Sequence, residues 1–169
     1  LLEAKSAKKA LLLKKFRAKV DGRDSNGRTA LIRELENGGN ADTVAFLIKN
    51  GADVNARSAD GRTPLITAIE AKASTALLNK LIAAGAKVDG RDSNGRTALI
   101  RELENGGRAD TVAFLIKNGA DVNARSADRQ TPLIAAVKAK ASDSVLNKLI
   151  AAGADVNAAD ADGNSAVAY

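Results

Sequence analysis

Residues 24–57 read DSNGRTALIRELENGGNADTVAFLIKNGADVNAR, and how this stretch divides decides the fold. Asp24-Ser-Asn-Gly27 has the composition of a turn, with a glycine free to take positive φ. Thr29 is placed to cap a short helix whose apolar residues Leu31, Ile32 and Leu35 fall on one face. Glu36-Asn-Gly-Gly39 ends it. Asp42 then sits near the start of a second, longer helix, where the helix dipole favours an anion. Val44, Phe46, Leu47 and Ile48 are expected to form that helix's buried stripe, with Lys49 in its last turn and Gly51 as a left-handed stop.

The same phrase returns down the chain. Thr29-Ala-Leu-Ile32, Thr63-Pro-Leu-Ile66, Thr97-Ala-Leu-Ile100 and Thr131-Pro-Leu-Ile134 recur every 34 residues, and Ser165-Ala-Val-Ala168 keeps the register. Gly51-Ala-Asp-Val-Asn55, Gly85-Ala-Lys-Val-Asp89, Gly119-Ala-Asp-Val-Asn123 and Gly153-Ala-Asp-Val-Asn157 do likewise. Superposed on this period is one of 68 residues: across 20–60 and 88–128 only Asn40/Arg108 differs. Core and turn positions recur because every interface in a stacked array is the same interface. Exact recurrence of exposed positions such as Arg33, Glu36 and Asn37 is not demanded by packing. A recent duplication or an engineered array would explain it.

Composition agrees with thin stacked layers. Apolar residues make up 45% of the 169, yet aromatics only 2%, so Ala, Leu, Ile and Val must carry the burial. With no Cys and no His, disulfides, thiolate zinc sites and imidazole chemistry are excluded. The formal charge of +6 belongs to one end: residues 1–19 hold seven Lys/Arg and one Glu, leaving 19 basic against 19 acidic groups elsewhere. No run approaches the ~20 apolar residues that span a bilayer. No targeting segment is read in these residues, and no compartment follows.

Together these motifs resemble the ankyrin-repeat family. Its pattern D-x-x-G-x-T-P-L-H-x-A, followed by G-A-D-V-N-A, maps onto Asp24–Glu34 and Gly51–Ala56 and onto each later unit. The departures are specific. The family's His is Ile32, Ile66, Ile100 and Ile134; its Pro survives only as Pro64 and Pro132; its small Ala is Glu34 and Glu102 in odd units but Ala68 and Ala136 in even ones. Each unit is one residue longer than the usual 33, in the loop between helices. The resemblance implies an all-α solenoid of helix-loop-helix units with β-hairpin-like fingers. One domain, 1–169, is expected to hold a partial capping repeat at 1–23, full repeats at 24–57, 58–91, 92–125 and 126–159, and the start of another at 160–169. The register runs off both ends, so further chain is expected beyond each.

The family's function is partner binding through the concave face made by the fingers and first helices. Carried over, this implies Arg23, Arg28, Arg33, Arg57, Arg62, Arg91, Arg96, Arg101, Arg125, Arg129, Glu36, Glu70 and Glu104, along with Ser25, Asn26 and Asn37 in the first full unit. The competing reading is that Asp24, Asp60, Asp92 and Asp128 merely neutralise a solvated surface. The expected function is therefore non-catalytic: a monomer holding a protein partner that the sequence does not name, with no cofactor or metal. Inhibition of a partner enzyme is one version of this, and an engineered scaffold without a natural ligand is the alternative.

Other sites are weaker. The basic stretch Ala7–Lys19 suits a membrane-surface or nucleic-acid helix, but Leu12 and Leu13 align with Phe46 and Leu47, which favours a leading cap helix. Scarcity of aromatics for base stacking also disfavours nucleic acid. Asp160-Ala-Asp162-Gly163 lacks the glycine position and the twelfth-position Glu of a calcium loop, and no phosphate-loop pattern is present. Arg129 stands where the other fingers carry Gly27, Gly61, Gly95 and Gly163; if those glycines take positive φ, Arg129 is expected either to bear backbone strain or to reshape the tip.

Overall fold

The computed structural model describes residues 4–5, 7–8, 11 and 19–169. The expected cap helix at 7–19 thus lies almost wholly outside the described residues. Eight α-helices follow among them, in four pairs: α1 (Ala30–Glu36) with α2 (Ala41–Lys49), α3 (Pro64–Glu70) with α4 (Thr75–Ala83), α5 (Ala98–Glu104) with α6 (Ala109–Lys117), and α7 (Pro132–Lys138) with α8 (Asp143–Ala151). A 3-10 turn, Ala166–Ala168, packs on α7. First helices stack on first helices and second on second, giving two parallel layers of helices.

Local chemistry sets each boundary. The hydroxyls of Thr29, Thr63, Thr97 and Thr131 accept from the N–H groups of Ile32, Ile66, Ile100 and Ile134 at 3.2–3.3 Å. Second helices start at Asn40, Ser74 and Ser142, whose side chains cap them in the same way. Gly51, Gly85, Gly119 and Gly153 end them with φ of 90 to 101°.

The core is a ladder of aliphatic residues: Leu31, Ile32 and Leu35, then Leu65, Ile66 and Ile69, then Leu99, Ile100 and Leu103, then Leu133 and Ile134. The isoleucines that replace the family's His are all buried, so packing holds the position. Phe46 departs from expectation, because it is 55% exposed and only Val44 of its helix is buried. The reason is angular: residue i+2 lies about 200° round the helix, so Phe46 faces away from Val44. Lys80 and Lys148 occupy the same register in the even units.

Units are also tied by their connecting loops. Asp21, Asn55, Asp89 and Asn123 each accept, through Oδ1, the N–H of a residue one unit on: Asp53, Lys87, Asp121 and Asp155, at 2.7–2.9 Å. Asn55 and Asn123 also donate to Gly85 and Gly153. Asn55, Asp89 and Asn123, which close the first three Gly-Ala-x-Val motifs, and Asp21 at the same register thus stitch one repeat to its successor.

Burial differs between identical sequences. Thr43 is exposed in α2, whereas its copy Thr111 is 1% exposed in α6, where its hydroxyl has no hydrogen-bond partner. Leu77 and Val145 fill the same register in the neighbouring units. An unpartnered buried hydroxyl costs about 1–3 kcal/mol. Thr111→Val should therefore raise stability by about 1 kcal/mol, seen as a melting temperature ~3 °C higher, and Thr43→Val should leave it unchanged.

Candidate partner-binding face

The fingers are tight turns. Each is closed by paired backbone bonds, as between Asp24 N–H and the Arg28 carbonyl and between Gly27 N–H and the Asp24 carbonyl. Each also donates to the one before it: Ala59 to Asn26, Ser93 to Asp60, Ala127 to Asn94, Ala161 to Asp128, at 2.9–3.3 Å. The single β-bridge among the described residues, Ala159 with Ser165, closes the last finger. The close approach uses the glycines: a Cβ on Gly61 would lie 2.6 Å from the Ser93 nitrogen, and one on Gly27 2.9 Å from that of Ala59. Arg129 does adopt the left-handed conformation, φ 62°, and bears the strain that its register implies.

The expected site residues fall into three groups. The first is a continuous ion-pair ladder across the first helices. Arg28 pairs with Asp24 and Glu36 at 3.0 and 2.8 Å; Arg62 pairs with Asp60 and Glu70, both at 2.8 Å, and approaches Glu36 at 3.6 Å. Arg96 meets Glu104 at 2.7 Å. Arg101 meets Asp92 at 3.0 Å and approaches Glu70 and Glu104 at 3.5 Å. Arg28, Arg62, Arg96, Arg101, Glu36, Glu70 and Glu104 thus serve one another, and links between units run through Glu36 and Glu70.

A second group, Arg23, Arg57 and Arg91, braces the fingers. Arg23 donates to the carbonyls of Gly27 and Arg57, Arg91 to those of Gly95 and Arg125, and Arg57 to that of Gly61. The third group, Arg33, Arg125 and Arg129, makes no side-chain hydrogen bond or ion pair among the described residues. Ser25, Asn26 and Asn37 are exposed.

Asp92 is not a solvated neutraliser. It is 5% exposed and accepts from the N–H groups of Asn94 and Arg96 as well as the Arg101 guanidinium. Sequence reasoning also missed the ladder's far end. Gln130 donates to Glu104 at 2.9 Å, Lys138 lies 3.5 Å from Asp160 and 4.3 Å from the centre of the Tyr169 ring, and the Tyr169 hydroxyl donates to Asp160 at 2.6 Å. The signal was there: 130 and 138 continue the registers of Arg28 and Glu36, and 169 that of Arg33 and Arg101. A cavity of about 300 Å³ opens between the first two fingers, lined by Asn26, Arg28, Ser58, Ala59, Asp60 and Arg62. No group of metal-ligating side chains occurs among the described residues, and no helix among them is long and apolar enough to cross a membrane.

Four of the finger carboxylates titrate low. Backbone and guanidinium bonds from Arg28 hold Asp24 below the usual range; the Ser58 hydroxyl does so for Asp60, the Ser126 hydroxyl for Asp128, and the Tyr169 hydroxyl for Asp160. A depressed carboxyl pKa stabilises the fold above the unfolded value, near 3.9, and that stability disappears as pH falls through the lower folded values. The melting temperature should therefore stay flat from pH 8 to about 5 and drop below about 4. An acid transition beginning near pH 6 would contradict these assignments.

A family model described as ankyrin repeats (three copies) matches residues 3–92, 34–126 and 70–160. A search of curated proteins finds no match.

Proposed function

Because the chain belongs to the ankyrin-repeat family, whose members are generally protein–protein interaction modules and typically non-catalytic, we propose that it binds a protein partner through the side built from its fingers and first helices. The observation that supports this most is the division of labour among the arginines. The ion-pair ladder and the braced fingers fix the side chains before any partner arrives, which lowers the ordering cost of association. Arg33, Arg125 and Arg129 make no side-chain bond among the described residues, and Arg is a common interface anchor.

The test is capture by the intact protein, with partners identified by mass spectrometry, compared with two variants. Alanine at Arg33, Arg125 and Arg129 should abolish capture while leaving the melting temperature nearly unchanged. Alanine at Lys80 and Lys148, on the second helices, should not affect it; the reverse pattern overturns the proposal. Arg129→Gly adds a finer readout. Removing the left-handed strain should stabilise the fold by up to about 1 kcal/mol, and loss of affinity in this variant marks Arg129 as a contact.

A second reading has its own support. The identity of exposed residues between 20–39 and 88–107 favours an engineered or recently duplicated array. An engineered scaffold would capture no native partner. Inhibition of a captured enzyme would be read directly from its rate with and without this chain.

A further inference from the structure

We infer that Arg23, Arg57, Arg91 and Arg125 form a docking strip for an extended acidic segment of a protein partner. This rests on the partner-binding reading of the finger side. The four stand at one register, one per unit, so stacked helices place them roughly 8–10 Å apart.

None of the four makes an ion pair among the described residues. Arg23, Arg57 and Arg91 donate only to neutral carbonyls, and Arg125 donates to nothing among the described residues. Asp21 and Asp89 accept the N–H groups of Asp53 and Asp121, which in turn accept those of Asn55 and Asn123, and none of these carboxylates pairs with the four arginines among the described residues. The adjacent ladder shows the contrast, since every one of its arginines has a carboxylate. The carbonyl bonds also orient the guanidinium heads of Arg23 and Arg91, whose remaining N–H groups suit a carboxylate acceptor.

Spacing specifies the ligand further. A segment in the extended polyproline II conformation has three residues per turn and advances about 3.1 Å per residue, so an acidic side chain at every third position lies on one side and meets successive arginines. Phosphates would also suit guanidinium groups, but the face offers no aromatic platform for bases between these arginines, so an acidic peptide is favoured over nucleic acid.

The experiment uses the full chain at low ionic strength with three fluorescent probes: a Ser/Gly peptide with Glu at every third position, one of equal composition with its Glu residues contiguous, and oligothymidylate. The spaced peptide should bind best. Joint Arg57→Gln, Arg91→Gln and Arg125→Gln substitution should weaken it about 30-fold, with thermal melts confirming that the variant is folded. Arg125→Glu alone, which breaks no bond, should weaken it at least about fivefold. Failure of the spaced peptide to bind, equal binding by the variants, or tighter binding of oligothymidylate each overturns the inference. If the peptides fail while native capture still depends on Arg33, Arg125 and Arg129, only the acidic strip falls. If capture ignores this face, both readings fall.

Discussion

Leu99→Ala is expected to destabilise the protein by about 3–4 kcal/mol, the range for a fully buried leucine whose cavity cannot collapse. Leu99 has no exposed surface and lies in α5, which packs between α3 and α7. In a stacked array, stability is the sum of unit terms and nearest-neighbour terms, so one truncation at a central first helix weakens two interfaces together. Urea unfolding followed by circular dichroism measures this. The midpoint should fall sharply, and a lower slope would mean that the array separates at the third unit. Val167→Ala is the control: Val167 is 85% exposed, so its loss should cost no more than ~0.5 kcal/mol. Equal effects at the two positions would refute the stacked core.

Much of this was legible because repetition multiplies weak signals. One Thr before an apolar pair is a poor helix start; four of them at a fixed interval, each followed by Leu-Ile, place α1, α3, α5 and α7 to the residue. Gly51 and its copies fixed the far ends of the second helices equally well. Burial of polar groups was not legible, because it depends on what stacks above and below. Residues 20–39 and 88–107 are identical, yet Arg33 makes no ion pair among the described residues while Arg101 reaches Asp92, Glu70 and Glu104. The environment differs, not the letters: Glu70 of the preceding unit approaches Arg101 at 3.5 Å. Glu34 and Glu102 show the legible and illegible parts together. Both replace a small residue of the family, and both accept the N–H at the head of the following helix, Asn40 or Arg108. Only Glu102 also gains a guanidinium, from Arg108, which reaches back to the Ala73 carbonyl of the previous unit. The one substitution in the repeated stretch thus exchanges a helix cap for a link between units.

The second and third units differ in a way that substitution can test. Asp92 pairs with Arg101 in the third unit, where the second unit has Ser58 and Thr67 at the same registers. Ser58 accepts the Arg62 N–H through its hydroxyl, as Asp92 accepts that of Arg96, and Thr67 bonds back to the Thr63 carbonyl. Each arrangement is complete in itself, and mixtures are not. Arg101→Thr alone strips the ion partner from a carboxylate whose side chain is 2% exposed. It should cost about 2–3 kcal/mol, below the usual toll for a fully buried pair because the guanidinium is partly solvated. Asp92→Ser alone keeps a backbone acceptor and leaves Arg101 near Glu70 and Glu104, so about 1–2 kcal/mol is expected. The double variant places the second unit's residues in the third and should be less destabilised than Arg101→Thr, giving a coupling energy above about 1 kcal/mol in thermal or urea unfolding. Additivity within about 0.5 kcal/mol would mean that the two positions do not sense each other. The difference between the second and third units would then owe nothing to this pair.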